Sequence, residues 1–291
     1  MLLLLSVGRW NSQLIFGRVL LLYQMPKAGS QTLEATLRLC GLPHHIVRLH
    51  FLSGANGKRI RNFISSGTAN AAWQGAANGQ MDMLSDVSSA LRIRKLMACC
   101  GVPLRRVEVI TAVRDVLGVA LSCIFQNHRL FVPDPKDLTV AKCRELLMRP
   151  ALCAQFQEWF DTELRPVIGL NVFNTEFPVN KGSCEYQNGF ARVLLYRFEE
   201  LPRLAPVLTK FLGREVPPLV NRNLGVTKDY GEVYRQVKDA ISLPQEFTER
   251  IINCTLMKQF YSAEERESLK RRWTDAIVSG LDTEPQYLGT A

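Results

Sequence analysis

The sequence predicts an α/β fold, with a central parallel sheet flanked by helices and a helical C-terminal extension. Two observations carry that prediction. Apolar runs of strand length at residues 19–23, 44–52 and 106–113 alternate with stretches of helical spacing at 31–40, 82–99 and 116–128. Strand and helix alternating in this way argue for crossover units and a parallel sheet. Past Pro217 and Pro218, the chain carries only helical patterns, at 230–240, 245–260 and 263–278.

The first unit reads RVLLLYQMPKAGSQTLEATLRLC over residues 18–40. Pro26-Lys27-Ala28-Gly29-Ser30 breaks the strand, and Leu33, Leu37 and Leu39 then recur at near-helical spacing. Gly41-Leu42-Pro43 turns the chain into the second strand, with Ile46, Val47, Leu49, Phe51 and Leu52 apolar. Residues 53–80 are rich in Gly, Ala, Asn and Ser and read as a long loop. A loop of that length in a compact domain is usually functional or mobile. Within it, Trp73 reads as a packing anchor.

The helix at 82–99 ends at Gly101-Val102-Pro103, and the third strand closes on Arg114 and Asp115. Helices follow at 138–148 and 152–168, with Pro150 between them and Trp159 and Phe160 directed to the core. Residues 171–177 read as a short strand. Residues 184–198 read as a hairpin turning at Asn188-Gly189, with 193–198 as the inner strand. Glu199-Glu200-Leu201 opens a helix that ends at Gly213. Ser262 and Glu265 form a capping box for the last helix. The expected organisation is an N-terminal extension (1–17), an α/β domain (18–213) and a helical extension packed on that domain (214–291).

Composition narrows the function. The chain has 291 residues, 47% of them hydrophobic and 22% charged, which suits a globular protein with a large core. A net charge of +9 suits an anionic ligand. No Lys/Arg run is interleaved with aromatics, so nucleic acid is not the expected partner. Eight cysteines form no Cys-x-x-Cys pair and meet no His at zinc spacing. Reduced, buried thiols and no metal are therefore expected, as in a cytoplasmic protein. The apolar start at residues 1–5 falls far short of the ~20 residues that span a bilayer. No transmembrane segment is expected, and the protein is placed in the cytoplasm, free or at a membrane face.

The first loop carries the chemistry. A buried strand, a tight loop and a helix together point main-chain N–H groups and the positive end of a helix dipole at one spot, which favours an anion. Lys27 adds a full charge. Gly29 allows close approach of the backbone, and Ser30 and Thr32 offer hydroxyls. No Gly-Lys-Ser/Thr follows a Gly-rich run, so the loop is not a Walker A motif.

The order Pro26-Lys27-Ala28-Gly29-Ser30 after the first strand resembles the 5′-phosphosulfate loop of sulfotransferases that use 3′-phosphoadenylyl sulfate (PAPS). A second match is Val113-Arg114-Asp115, with Ser122 eight residues after Arg114. In that family such an Arg and Ser grip the 3′-phosphate, and the guanidinium fork suits phosphate oxygens. His50-Phe51-Leu52-Ser53, Glu158-Trp159-Phe160-Asp161, residues 194–201 and Phe260-Tyr261-Ser262 with Glu264, Glu265 and Trp273 follow in the same order. Together they resemble the sulfotransferase-like branch of capsular polysaccharide synthesis proteins over most of residues 18–275. The chain departs from the family's pattern at Gln31, Val116 and Phe198, and carries Arg48 where heparan sulfotransferases place a Glu base.

The resemblance implies a P-loop-like sheet and transfer of a sulfuryl group from PAPS to a hydroxyl of a carbohydrate acceptor, without a metal. Lys27 would neutralise the leaving phosphate oxygen. Ala28, Gly29, Ser30, Gln31 and Thr32 would cradle the 5′-phosphate, and Arg114 and Ser122 the 3′-phosphate. His50, at the end of the second strand, is the candidate base, since imidazole titrates near neutral pH; the other reading of it is a strand residue satisfied by a backbone carbonyl. Two other readings stand beside this one: a non-catalytic nucleotide-binding protein of the same fold, and an ATP-dependent P-loop phosphotransferase. The missing Gly-Lys-Ser/Thr argues against the second.

Overall fold

The computed structural model describes residues 18–54, 107–188, 191–219 and 228–274. Five strands form one sheet: β1 (Arg18–Tyr23), β2 (His44–Leu49), β3 (Val107–Val113), β4 (Ser183–Asn188) and β5 (Ala191–Arg197). Their spatial order is β2-β1-β3-β5-β4. The first four in that order are parallel, and β4 closes the edge antiparallel to β5. Leu20 to Tyr23, Val109 to Val113 and Val193 to Tyr196 are buried on both faces. Near-continuous apolar runs of this kind are what a covered parallel sheet requires.

Helix α1 (Ser30–Leu39) links β1 to β2, and α2 (Val116–Gln126) follows β3. From β1 the chain moves to one side of the sheet, and from β3 it moves to the other. The neighbouring carboxyl ends of β1 and β3 therefore flank a topological switch point, where open α/β sheets form their crevice. Helices α3 (Val140–Leu147), α4 (Pro150–Gln157) and α5 (Arg165–Ile168) follow. After β5 come a 3₁₀ turn (Phe198–Arg203) and α6 (Ala205–Leu212), capped by Gly213 in the left-handed conformation. Helices α7 (Gly231–Ala240), α8 (Gln245–Ile252), α9 (Thr255–Phe260) and α10 (Ala263–Thr274) complete the described chain. Val237, Ile251, Phe260 and Trp273 from these C-terminal helices join the same hydrophobic core as the sheet.

The sequence-based elements differ from this in several places. Residues 171–177 are not a strand. Asn171 accepts from the Phe173 N–H with its side chain (3.1 Å) and turns the chain into a 3₁₀ segment, Val172–Asn174. The second strand ends at Leu49 rather than at 52. The helix expected over 245–260 breaks between α8 and α9, and the one over 152–168 contains a π turn, Phe160–Leu164. The capping box is present: Ser262 Oγ accepts from Glu265 N (3.2 Å), and Ser262 N donates to Glu265 Oε2 (2.8 Å). Residues 1–17, the helix expected at 82–99, the loop up to residue 80 with Trp73, and the hairpin position Gly189 lie outside the described residues. Cys40, Cys123, Cys143 and Cys153 are buried thiols, and Cys184 and Cys254 are partly buried. Among the described residues, no helix is long and apolar enough to cross a membrane.

The π turn aims Glu163, fully buried, at the ends of β1 and β2. Its carboxylate accepts from Leu52 N (2.7 Å), Ser53 N (2.9 Å), Ser53 Oγ (2.8 Å) and the Tyr23 hydroxyl. One acid thereby holds four donors that have no access to water. Glu163→Ala should cost at least about 3 kcal/mol of stability, since each buried donor left unsatisfied costs about 1–3 kcal/mol. Chemical denaturation checks this, and a loss below about 1 kcal/mol would contradict it.

Candidate functional site

The loop after β1 is shaped by two left-handed residues, Lys27 (φ 63°) and Gly29 (φ 82°). For Lys27 this is an unusual backbone, and it needs support from its surroundings. The support comes from β3. Arg114, the first residue past that strand, donates from Nη1 to the Lys27 carbonyl at 2.7 Å. The next carbonyl, that of Ala28, accepts from Gln24 Nε2 at 3.0 Å and lies 3.4 Å from the Tyr196 hydroxyl. Two successive carbonyls are thus held by side-chain donors. Carbonyl oxygens repel an anion, so holding them leaves the N–H groups at the start of α1 to face it. Gly29 precedes α1 at its N-cap. A Cβ there would come within 2.8 Å of Leu201 Cδ2, so the glycine also lets the loop close onto the 3₁₀ turn after β5. Ser30 and Thr32 are buried in the first turn of α1, while Lys27 and Gln31 are partly exposed.

Arg114 is held from two sides. Besides its bond to Lys27, its guanidinium lies 4.2 Å from the ring centroid of Phe198, a cation–π contact. Asp115 beside it does structural work. Its carboxylate caps α2, accepting from Leu117 N (3.0 Å) and Gly118 N (2.9 Å). Gly118 makes room, since a Cβ there would fall 2.3 Å from Asp115 Oδ2. Burial raises the Asp115 pKa, opposed first by Arg272 and then by Arg114.

Ser122 lies two turns along α2 and is buried. Its hydroxyl is 3.1 Å from the Tyr234 hydroxyl on α7 and shares no hydrogen bond with Arg114. Next to it, burial pushes the Cys123 thiol up to about 12, against the positive fields of Lys27 and Arg114. That thiol stays neutral, and both cations act on it.

His50 follows β2 directly. Its Nδ1 lies 2.8 Å from the Gln24 carbonyl. A carbonyl can only accept, so Nδ1 carries a proton. In the neutral ring Nε2 is then the basic nitrogen, as a general base requires. Trp159 Nε1 donates to the His50 carbonyl (3.1 Å) and fixes the backbone there. Arg48 pairs with Glu34 of α1 (2.9 Å).

The structure therefore joins Lys27, Ala28 and Arg114 by direct contact and ties His50 to the same loop through Gln24. Ser122 sits on the neighbouring helix with a different partner. Sequence reasoning gave no individual role to Gln24, Tyr196, Glu199, Tyr261 or Tyr234, although Tyr196, Glu199 and Tyr261 lie in the stretches that carried the resemblance. Gln24 left a signal of its own, as a lone amide at the end of an apolar run. Among the described residues, no group of three or more His, Cys, Asp or Glu side chains could hold a metal ion.

Glu199 lies just past β5, in the 3₁₀ turn. As a whole the residue is exposed, yet its carboxylate reaches the hydroxyl of Tyr261 (3.1 Å), which is 4% exposed. Burial of that carboxylate raises its pKa to about 7, and the charge of Asp115 adds to the rise, against Arg114 and Tyr261. An unfolded Glu titrates near ~4.3. The folded state therefore holds the proton at higher pH, and its contribution to stability is lost as pH rises through about 7. Thermal melting between pH 5 and pH 8 should show a wild-type midpoint that falls relative to Glu199→Gln across that window. Parallel curves would contradict the assignment. Solvent at this exposed position keeps the effect small.

A family model described as "Putative capsular polysaccharide synthesis protein" matches residues 137–262, less than half of the 291-residue chain. The match spans α3 to α9 and includes Trp159, Glu163, Tyr196, Glu199 and Tyr261. It leaves out the β1 loop and the end of β3. No curated protein and no solved structure matches the chain.

Proposed function

We propose that this chain transfers a sulfuryl group from PAPS to a hydroxyl of a carbohydrate acceptor, on a P-loop-like sheet. The observation that carries the reading is the loop at the β1/β3 switch point. There the Lys27 and Ala28 carbonyls are held by Arg114 and Gln24, and a lysine stands at the start of a helix. The donor set fits a phosphosulfate: a cation, helix N-terminal N–H groups, two hydroxyls and a guanidinium. The family match supplies the polysaccharide side of the reading.

In this reading the main-chain N–H groups of residues 28–32, with the Ser30 and Thr32 hydroxyls, hold the 5′-phosphate. Arg114 and Ser122 hold the 3′-phosphate. Arg114 offers the donors that its bond to Lys27 leaves, and Ser122 exchanges or shares its partner Tyr234. PAPS supplies the sulfuryl group. Lys27 neutralises charge on the bridging oxygen as the S–O bond to the 5′-phosphate breaks. His50 Nε2 takes the proton from the acceptor hydroxyl as its oxygen bonds to sulfur. The products are a sulfate ester and 3′,5′-adenosine bisphosphate. Positioning and electrostatic stabilisation provide most of the rate.

Transfer of radiolabelled sulfate from PAPS to a panel of polysaccharides tests the reading. Lys27→Ala should lower the rate by about 10²–10³, the cost of removing one preorganised charge-stabilising donor. A variant as active as the wild type would overturn the role given to Lys27.

A further inference from the structure

We infer that Gln24 is a positioning residue that ties the loop bearing Lys27 to His50, so that occupancy of the loop is felt at the imidazole. The inference rests on the nucleotide reading above and adds to it a residue from neither half of the site. Gln24 is 0% exposed and stands where the apolar run of β1 ends. A Met or Leu would fill the same volume, so packing alone gives no reason for an amide there. A buried amide is costly unless its polar atoms are paired. Those of Gln24 are paired, one with the loop and one with β5.

The side-chain Nε2 donates to the Ala28 carbonyl (3.0 Å), and Oε1 lies 3.4 Å from the Tyr196 hydroxyl on β5. The orientation of the amide follows from chemistry: the Ala28 oxygen can only accept, so nitrogen must face it. Burial raises the Tyr196 pKa, which keeps its hydroxyl a donor. The main chain of Gln24 donates to the Leu49 carbonyl (3.3 Å) and accepts from His50 Nδ1 (2.8 Å). One residue thus sets the direction of a loop carbonyl with its side chain and the tautomer of His50 with its backbone. Without the amide, the longer Tyr196 contact is what remains, among the described residues, to keep the Ala28 carbonyl turned from an anion. A shift of the loop on ligand binding would pull on the side chain whose own carbonyl orients His50.

The test uses the full chain with 3′,5′-adenosine bisphosphate as the probe. Calorimetry gives affinity, and ¹⁵N NMR of the histidine ring nitrogens gives the His50 tautomer and its response to the probe. Wild type should show the Nδ1–H tautomer and a His50 response on binding. In Gln24→Met, affinity should fall about tenfold, as loss of one buried hydrogen bond implies, and the His50 response should vanish. Tyr196→Phe, the milder change, should weaken binding by about two- to threefold and reduce the response. A folded Gln24→Met that binds as wild type does, or keeps the same His50 response, overturns the inference. If Gln24→Met does not fold, unchanged affinity and response in Tyr196→Phe overturn it. A wild type that binds no bisphosphate defeats the nucleotide reading itself, and the inference falls with it. A purely structural role for Gln24 would lower stability but leave the His50 response of the folded protein intact.

Discussion

The carbonyl oxygens of Lys27 and Ala28 sit in a loop whose position at the end of β1 suits an anion, and each would repel one. Arg114 holds the first, and Gln24 and Tyr196 hold the second. Those three donors come from β3, β1 and β5, so the loop's shape depends on the register of three parallel strands. Val113 stands opposite Arg197, and Leu22 opposite Ile110. A one-residue slip would turn the side chains of the slipped strand to the other face. The left-handed backbone of Lys27 is tolerable because Arg114 fixes the carbonyl that follows it.

The C-terminal part of the chain supports this arrangement from behind. Arg197, 5% exposed at the end of β5, pairs with Glu265 at 2.6 Å and with Glu200 at 3.1 Å. Glu265 is also the acid of the capping box that starts α10. The helix start and the end of the strand therefore share one carboxylate. Arg197 is buried, so removing its carboxylate partners would strand its charge. Phe198, next to Arg197, carries the guanidinium of Arg114. Glu163 acts in the same way beside β2, gathering the ends of β1 and β2 onto the π turn.

Much of this fold was legible because it rests on period and punctuation. The apolar runs gave β1, β3 and β5, the Pro-Lys-Ala-Gly-Ser break gave the loop, and Ser262 with Glu265 gave the start of α10. The strand ends placed Lys27, Arg114 and His50 near one edge of the sheet. What failed did so for physical reasons. Asn171 captured a backbone N–H with its own side chain, and a propensity for strand at 171–177 could not reveal that competition. The break between α8 and α9 interrupts a helix without Gly or Pro, and the π turn lies just before Pro166, whose place in a helical run reads as a kink rather than as a π turn. The roles of Tyr196 and Glu163 come from contacts across 110 to 172 positions of sequence, which no local pattern encodes. The loop glycine was legible as a glycine, but its partners, Leu201 and Phe198, were not.

The most direct measurement of the central claim is a calorimetric titration of the full chain with 3′,5′-adenosine bisphosphate, with adenylyl sulfate and ATP as comparisons. The proposed roles, the loop for the 5′-phosphate and Arg114 with Ser122 for the 3′-phosphate, predict binding of the bisphosphate well ahead of both comparisons. Equal binding of adenylyl sulfate, or no binding of any of the three, would contradict it.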